Sequence, residues 1–330
     1  PPSQPQPALP PPVRPPENQL PPTYTPTPDP PTTPTAAPPP ADLPPEAPPV
    51  EGPAPTFAMP VSYGPVNFPE GIDPLTGLAV GNLDLLYRRP LAIKITNYPR
   101  RVRPQSGLTL ADLAYEYYIE GGLTRFIAVF YGNDANRVGP VRSGRFFDEH
   151  VVRMYDAIFV FASADKRVLE PWLESDLLPR LVIPRANNCP PLCRDKSNED
   201  YNNLYVDTAG LAAYAYSRGA DINRYDQSGM RFQTVVPWGG KPATGIYTRY
   251  SRFDYNHWQY NPLTKQYDRY ADTRDSTSTA DEAYAPLTDE YTGQPVTFDN
   301  VVVVYVPHEY VVDTPTTEVV DIHLQGFGSA

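Results

Sequence analysis

Long apolar runs, positive charge and cysteine are all scarce in this sequence. No stretch approaches the roughly 20 consecutive apolar residues that a transmembrane helix needs, which excludes such a helix from the residues given. Acidic residues outnumber basic ones by 38 to 27, the formal net charge is −11, and no run of lysine or arginine occurs. An acidic chain without a basic patch is a poor candidate for nucleic-acid binding, so we expect no nucleic-acid partner.

The scarcity of cysteine and histidine limits the metal and nucleophile chemistry of the chain. Its two cysteines, Cys189 and Cys193, permit a small disulfide-closed loop in an exported protein; free thiols or a metal-binding pair are the alternatives. Apart from that pair, no two His or Cys residues fall at ligand spacing. Ser143 lies in PVRSGR and lacks the G-x-S-x-G pattern of a hydrolase nucleophile. We therefore expect no metal site and no cofactor.

Proline, by contrast, is abundant and concentrated at one end. Of the 45 prolines, 26 lie in residues 1–60, with few large apolar residues between them. Such a segment cannot bury enough apolar surface to offset its ordering entropy, which predicts a disordered, extended linker. A Pro/Thr-rich segment ahead of a globular part is typical of a tether. We expect an exported protein held at the cell membrane by a signal or lipid anchor outside these residues.

The rest of the chain divides by its pattern into two domains. Residues 61–235 alternate strand and helix patterns, which predicts an α/β domain with a mixed sheet. Its predicted strands are residues 91–96, 113–120, 123–131, 157–161 and 181–183, and its predicted helices are 146–155, 166–175 and 208–218. Ser143 is the predicted N-cap of the first helix, and Asp207 or Thr208 that of the last.

Residues 236–330 have strand patterns only, which predicts a smaller, mostly β second domain. Its predicted strands are residues 246–253, 258–260, 266–270 and 301–305. The sequence stops after a strand pattern followed by glycines. We therefore expect this second domain to be incomplete at its end.

A hairpin signal lies at the centre of the first domain, where Gly121-Gly122 joins two β-rich runs. Two consecutive glycines suit a type I′ turn, since both central residues need a positive φ. The pairs that this turn implies are Glu120 with Leu123, Tyr118 with Arg125, and Glu116 with Ile127. Because side chains alternate, the predicted core face carries Tyr115, Tyr117, Ile119, Phe126, Ala128 and Phe130. The polar face would then hold Glu116, Tyr118, Glu120 and Arg125.

The arginines give the strongest signal for a ligand site. They fall in or beside loops at strand ends, and arginine suits bidentate recognition of carboxylate or phosphate. The loop at residues 139–145 also leads into a helix N-terminus, which attracts anions. The predicted ligand-binding residues are Asn97, Gln105, Glu116, Glu120, Arg125, Arg142, Ser143, Arg145, Arg194 and Asp195. The alternative is that these arginines only form internal salt bridges.

We therefore expect a binding module for a small anionic or cell-wall-derived ligand rather than an enzyme, and we assign no catalytic residue. The alternative is a cell-wall hydrolase that uses Glu116 and Glu120 as its carboxylate pair. Four residues along a strand separate Cα atoms by about 13 Å, whereas glycosidase carboxyl groups lie about 5–9.5 Å apart. Arg125 would also lie between them, and a guanidinium lowers the carboxyl pKa that an acid catalyst needs raised.

Several segments of the sequence resemble one bacterial family. RPLAIKITNYPRRVRPQSGL, ADLAYEYYIEGGLTRFIAVF, VGPVRSGR, YDAIFVFAS and RDKSNEDYNNLY are similar, in order, to the N-terminal domain of the YerB-like lipoproteins. TGQPVTFDNVVV and DIHLQGFGSA resemble its C-terminal domain. The resemblance implies an extracytoplasmic, two-domain lipoprotein without an established activity. Asn202 stands where the family usually has histidine, so a mechanism that needs that imidazole is not expected here.

The composition generates a first prediction, on limited proteolysis. Residues 1–60 should be cleaved rapidly while residues 72–235 resist digestion, because only a packed backbone excludes a protease. The fragments can be identified by mass spectrometry. A protected fragment that begins near Pro30 would contradict the linker prediction.

Overall fold

The computed structural model of the protein describes residues 61–198, 200–236, 238–314 and 317–323. The linker predicted for residues 1–60 and the chain end at 324–330 lie outside these ranges. Within them, no helix is both long enough and apolar enough to cross a membrane.

The described part of the first domain alternates strands with helices. The strands are β1 (Ser62–Tyr63), β2 (Leu91–Thr96), β3 (Leu113–Tyr118), β4 (Thr124–Phe130), β5 (Ile158–Val160), β6 (Leu181–Val182), β7 (Leu192–Arg194), β8 (Leu204–Val206) and β9 (Phe232–Gln233). The helices are α1 (Phe146–Met154), α2 (Lys166–Leu173) and α3 (Thr208–Ser217). These elements confirm the predicted α/β domain.

A mixed sheet in the order β3-β4-β2-β5-β6 forms the centre of this domain. β4 runs antiparallel to β2 and β3, whereas β5 runs parallel to β2 and β6. All six residues of β2 are buried, as expected for a strand covered on both faces. Its sequence, LAIKIT, is accordingly apolar apart from Lys94 and Thr96. The predicted bounds of this strand are confirmed.

One apolar core lies on each side of the sheet. On one side, Phe147 and Val151 of α1 and Trp172 of α2 share a core with the sheet. On the other side, Leu211 of α3 shares a core with the sheet and with Leu287 of the second domain. The sheet is therefore the middle layer, with α1 and α2 on one side and with α3 and the second domain on the other.

The start of α1 differs from the prediction. Arg145, and not Ser143, is the N-cap residue. Asp148, in the first helical turn, accepts a hydrogen bond from the Arg145 backbone N–H at 2.8 Å. An acidic side chain that reaches back to the cap satisfies a backbone donor and suits the helix dipole. Ser143 instead shares a hydrogen bond with Ser163 at 2.9 Å between their Oγ atoms.

The second domain is mostly β, as predicted. Its strands are β10 (Gly245–Arg249), β11 (Tyr255–Asn261), β12 (Gln266–Asp272), β13 (Tyr284–Pro286), β14 (Thr297–Phe298), β15 (His308–Thr314) and β16 (Thr317–Ile322). The first four form an antiparallel sheet in sequence order, and β14 also pairs with β12. The strand predicted at residues 301–305 is wrong: Val302, Val304 and Tyr305 are exposed, and their apolar run has no core to face.

The hairpin of β15 and β16 returns to the first domain. Val320 and Ile322 are buried in the core that α1 shares with the sheet. Glu318 accepts hydrogen bonds from the Tyr118 hydroxyl at 2.6 Å and from the Gly121 backbone N–H at 3.1 Å. The last described strand thus packs beside the tip of the β3–β4 hairpin.

That tip explains why the predicted strand register is wrong. Gly121 and Gly122 both have positive φ, and Leu123 N–H donates to the Glu120 carbonyl, as a two-residue turn requires. However, Ile119 N–H donates to the Leu123 carbonyl as well, so two residues oppose one. Such a bulge shifts the pairing by one residue.

The shift exchanges the faces of β4 relative to β3. Tyr117, and not Tyr118, pairs with Arg125, while Glu116 pairs with Phe126. A one-residue slip moves every side chain to the other face. The β4 residues that were predicted for the core face therefore share a face with Glu116 instead of with Tyr117. Arg125 shares a face with Tyr117, toward α1, and Glu116 faces the second domain.

A disulfide joins Cys189 and Cys193. Of the three states considered for this pair, the structure contains the disulfide. The loop that it closes leads into β7, which pairs with β8.

The hairpin tip generates a prediction that compares two adjacent glycines. A Cβ on Gly122 would lie 2.7 Å from Cβ of Ser251, whereas a Cβ on Gly121 meets nothing within 4 Å. Gly121→Ala should cost about 1 kcal/mol of unfolding free energy, from the positive φ alone. Gly122→Ala should cost at least about 1 kcal/mol more, because it also forces Ser251 away. If urea unfolding gave the same loss of unfolding free energy for both variants, Ser251 of the second domain would not be in close contact with this turn.

Candidate functional site

The loop before α1 is inserted between two parallel strands at their carboxyl ends. The Arg142 backbone N–H donates to the Lys94 carbonyl at 2.9 Å, and the Arg142 carbonyl accepts from Ala162 at 2.9 Å. β2 and β5 separate here to admit the loop. The carboxyl edge of parallel strands is where open α/β sheets bind ligands.

Three arginines and one glutamate meet at this edge, and we call Arg125, Arg142, Arg145 and Glu120 the arginine cluster. Arg145 Nε donates to Glu120 Oε2 at 2.6 Å, and its Nη2 contacts Oε1. Arg125 donates to the Ser143 carbonyl at 2.7 Å and lies 3.8 Å from Glu120. Burial opposes ionisation of Glu120, but the hydrogen bond and charge of Arg145 hold its pKa below the usual range.

Arg142 differs from the other two arginines in its contacts. Its guanidinium lies over the Tyr201 ring, 4.6 Å from the centroid. Among the described residues, no carboxylate lies within ion-pair distance of it, and its Nε is buried without a hydrogen-bond partner. Burial lowers the pKa of Arg142, and the neighbouring Arg145 charge lowers it further. The cluster therefore carries more positive than negative charge.

A buried ion pair fixes this cluster from below. Lys94 is fully buried, and its Nζ lies 3.0 Å from Oδ1 of Asp148 and contacts the Tyr117 hydroxyl. The other oxygen of Asp148 holds the start of α1 at Arg145. Burial lowers the pKa of Lys94 to about 7. Sequence reasoning missed Lys94, although a lysine inside an apolar strand was the available signal.

Three predicted site residues lie on the opposite face of the sheet. Glu116 Oε1 accepts hydrogen bonds from Asn97 Nδ2 at 3.1 Å and Thr124 Oγ1 at 2.8 Å. Its Oε2 accepts from Asn256 Nδ2 at 3.0 Å and Arg269 Nη2 at 2.8 Å. Asn256 and Arg269 belong to the second domain, so this carboxylate joins the two domains.

Gln105 belongs to the same buried network. It is fully buried and donates to the Thr96 carbonyl and to Asn97 Oδ1, both at 3.1 Å. Arg103, in the same loop, donates to Asn97 and pairs with Asp272 of the second domain at 2.9 Å. Asn97, Gln105 and Glu116 are therefore interface residues, and the structure does not bring them to the arginine cluster.

Asp254 is a further buried carboxyl in this interface. Its Oδ2 accepts from the Thr124 backbone N–H at 2.8 Å and lies 2.8 Å from Thr124 Oγ1. Its Oδ1 is buried and has no partner among the described residues. Burial, and then the charge of Glu116, raise the pKa of Asp254 to about 7.

The structure removes the geometric basis for a Glu116/Glu120 catalytic pair. Glu116 faces the second domain, whereas Glu120 contacts Arg145 on the other side of the sheet. All four partners of Glu116 are protein groups. The oxygens of this carboxylate are therefore occupied by structural hydrogen bonds.

Arg194 and Asp195 lie apart from the cluster. Arg194 is exposed and donates to Asn203 at 2.8 Å. Asp195 accepts from Ser197 and from Arg137, the latter at 2.9 Å. The contacts of Arg194 and Asp195 are with Asn203, Ser197 and Arg137, and none of these contacts involves Arg142.

A cavity of about 280 Å³ is lined in part by Pro140 of the loop before α1, and we call it the edge cavity. Its lining residues are Arg101, Val102, Arg103, Pro104, Pro140, Asn198, Asp200, Asn202, Tyr205 and Glu290. Asp200 pairs with Arg101 at 2.7 Å and accepts from Asn202 at 2.9 Å. Asp200 and Asn202 flank Tyr201 in sequence, although Tyr201 is not among the lining residues. Within the described ranges, no group of three His, Cys, Asp or Glu side chains could hold a metal ion.

Together, these features define a two-domain protein with a mixed α/β first domain, a mostly β second domain and a basic cluster at the sheet edge. The N-terminal and C-terminal domains of the family "Protein of unknown function (DUF3048)" match residues 75–221 and 246–330. The chain therefore belongs to the DUF3048 family, which confirms the YerB-like resemblance.

One relative, YerB of Bacillus subtilis, supports this membership both in sequence and in structure. The candidate lipoprotein YerB of Bacillus subtilis (strain 168) is 30% identical over 261 residues, which cover 77% of this chain and 73% of YerB. The crystal structure of the YerB protein from Bacillus subtilis matches with a TM-score of 0.63 at 25% identity. That match covers 77% of this chain and 80% of the YerB chain.

The buried Asp254 generates a prediction on pH. Its pKa is about 7 in the folded protein against 3.8 ordinarily, so between these values the folded state binds more protons than the unfolded state. Its contribution to stability is complete below about pH 4 and is lost as the pH rises through 7. Asp254→Asn cannot titrate, so its unfolding free energy should rise relative to the parent protein between pH 5 and 8.

Asp313→Asn, on an exposed strand, is the matched control. Its unfolding free energy should keep a constant difference from the parent over the same range. Guanidinium titrations at each pH measure both variants. A constant difference for Asp254→Asn would show that Asp254 is ionised throughout.

Proposed function

We propose that this protein is an extracytoplasmic, membrane-tethered binding protein that holds a small anionic, cell-wall-derived ligand at the arginine cluster. Two observations support the location: the proline-rich composition of residues 1–60 and the similarity to the candidate lipoprotein YerB. The anchor would be an N-terminal lipid or signal outside these residues. The ligand is argued from the site alone.

The proposal depends mainly on the guanidinium of Arg142. Arg145 and Arg125 both contact Glu120, whereas Arg142 has no carboxylate partner in the described part of the chain. Its guanidinium is held over the Tyr201 ring, 4.6 Å from the centroid. An arginine fixed in this way presents a pre-organised fork to a carboxylate or phosphate.

The surroundings of Arg142 determine the size and charge of the ligand. Arg125 and Arg145 add positive charge, but Glu120 limits the excess, so a small anion fits better than a polyanion. The edge cavity is lined by both sequence neighbours of Tyr201 and has room for the uncharged part of a small molecule. The role proposed is binding and not hydrolysis, since Glu116 is held within the domain interface.

Anion titration tests this function. Isothermal titration calorimetry with inorganic phosphate and with citrate should detect binding to the parent protein. Arg142→Gln should weaken it by at least about tenfold, because a charge-assisted pair contributes about 1.5–3 kcal/mol. The partition of the full-length protein into the membrane fraction tests the tether separately.

Arg167→Gln is the matched control, since Arg167 is exposed and pairs only locally with Asp165 at 3.2 Å. This variant should bind both anions like the parent protein. The proposal fails if neither anion binds at millimolar concentration, or if Arg142→Gln and Arg167→Gln bind equally well.

A further inference from the structure

The turn between β10 and β11 packs on the β3–β4 hairpin through polar groups. The Ser251 hydroxyl donates to the Gly122 carbonyl, and the Tyr250 hydroxyl donates to the Glu116 carbonyl at 3.3 Å. Asp254 ends this turn and is only 1% exposed. Its carboxyl group therefore lies inside the contact between the two domains and not at its rim.

One hydroxyl oxygen lies between a carboxyl group of each domain. Thr124 Oγ1 is 2.8 Å from Glu116 Oε1 and 2.8 Å from Asp254 Oδ2. The same oxygen accepts a hydrogen bond from Asn97 Nδ2 at 2.8 Å. A hydroxyl group has one proton to donate, so Thr124 can donate to only one of the two carboxyl groups. The other contact joins two oxygens at hydrogen-bond distance and therefore needs a second proton, which a carboxyl group must carry.

The remaining partners show which carboxyl group carries that proton. Glu116 Oε2 accepts from Asn256 Nδ2 at 3.0 Å and lies 2.8 Å from the Arg269 guanidinium, so the ionised form of Glu116 is compensated. Asp254 Oδ1 is buried and has no partner in the described ranges. Burying an uncompensated charge costs far more than burying a neutral carboxyl group. Asp254 therefore donates to Thr124 Oγ1, and Thr124 donates to Glu116.

The charges around Asp254 do not replace this proton. Burial and the charge of Glu116 raise its pKa to about 7, whereas the charge of Arg103 lowers it. Arg103 and Arg100 are both paired with Asp272, and no lysine or arginine of the described residues forms an ion pair with Asp254. The charged or titratable groups around this contact are Glu116, Arg100, Arg103, Asp272, Arg269 and Tyr250.

We propose that Asp254, Thr124 and Glu116 form a proton-dependent latch, in which one shared proton joins the second domain to the first and its loss weakens their interface. With the proton present, the contact is a chain of two hydrogen bonds. Without it, two carboxylates face one hydroxyl group and repel each other. The latch shares no residue with the arginine cluster and does not depend on the function proposed there.

The direction of the pH dependence follows from the two states of the interface. When the interface is open, Asp254 is in water and has its ordinary pKa of 3.8, against about 7 when the interface is closed. The closed state therefore binds more protons between these values. The interface should be tightest below about pH 4, and it should weaken as the pH rises through 7.

Hydrogen exchange followed by mass spectrometry tests the latch, with rates corrected for the intrinsic pH dependence of exchange. In the parent protein, the protection of residues 250–256 should fall by up to about tenfold per pH unit between pH 5 and 7, as the release of one proton requires. In Asp254→Asn an amide N–H replaces the carboxyl proton, so the protection should be constant over this range. At pH 7 these residues of the parent should be less protected than β2, because the interface opens without global unfolding.

Two variants of Thr124 isolate the role of its hydroxyl group. Thr124→Ser keeps the hydroxyl and should keep the pH dependence of the parent protein. Thr124→Val leaves the Asp254 proton without an acceptor and should lower the protection of residues 250–256 at pH 5 by about tenfold. Asp313→Asn is the control, because Asp313 is exposed, and it should follow the parent protein at every pH.

Three outcomes would overturn the inference. The first is a constant protection of residues 250–256 in the parent protein between pH 5 and 7. The second is an equal fall in Asp254→Asn, which would assign the proton to another group. The third is equal protection of residues 250–256 and β2 at pH 7, which would show that the proton stabilises the whole fold and not this interface.

Discussion

The carboxylate of Glu116 is the interaction on which the arrangement of this protein depends. It lies on a strand of the first domain and accepts hydrogen bonds from Asn97, Thr124, Asn256 and Arg269. The last two belong to the second domain. A buried carboxylate is stable only when its lone pairs are satisfied, so separating the domains would remove the hydrogen bonds from Asn256 and Arg269. The interface is therefore specified by geometry as well as by apolar contact.

The same sheet carries a second buried charge on its other face. Lys94 and Asp148 form an ion pair beneath α1, and Asp148 also fixes the N-terminal turn of the helix at Arg145. Because α1 and its preceding loop are held in this way, Arg142 and Arg145 have defined positions at the sheet edge. Buried pairs of this kind contribute less to stability than to the choice of one arrangement. The basic edge is a consequence of that choice.

The arginine cluster joins residues from two parts of the first domain. Arg142 and Arg145 lie in the loop that is inserted between β2 and β5, whereas Glu120 and Arg125 belong to the hairpin of β3 and β4. Glu120 is the one carboxylate within the cluster and contacts both Arg125 and Arg145. The three guanidinium groups therefore leave an excess of positive charge at the sheet edge.

The sequence by itself determined the local elements and the chemical character of the chain. The run LAIKIT, the cap at Asp207, the turn glycines and the two-domain pattern depend on neighbours along the chain, and they were predictable for that reason. Glu120, Arg125, Arg142 and Arg145 were among the ten predicted site residues, but the sequence did not separate them from the other six. Only the tertiary structure decided which face each residue occupies, because one extra residue opposite Leu123 moves Arg125 and Glu116 to opposite sides of the sheet. Asp254 and Arg269, more than 120 residues from Thr124 and Glu116, had no local signal, since the contacts that give them a role form only when the second domain packs on the first.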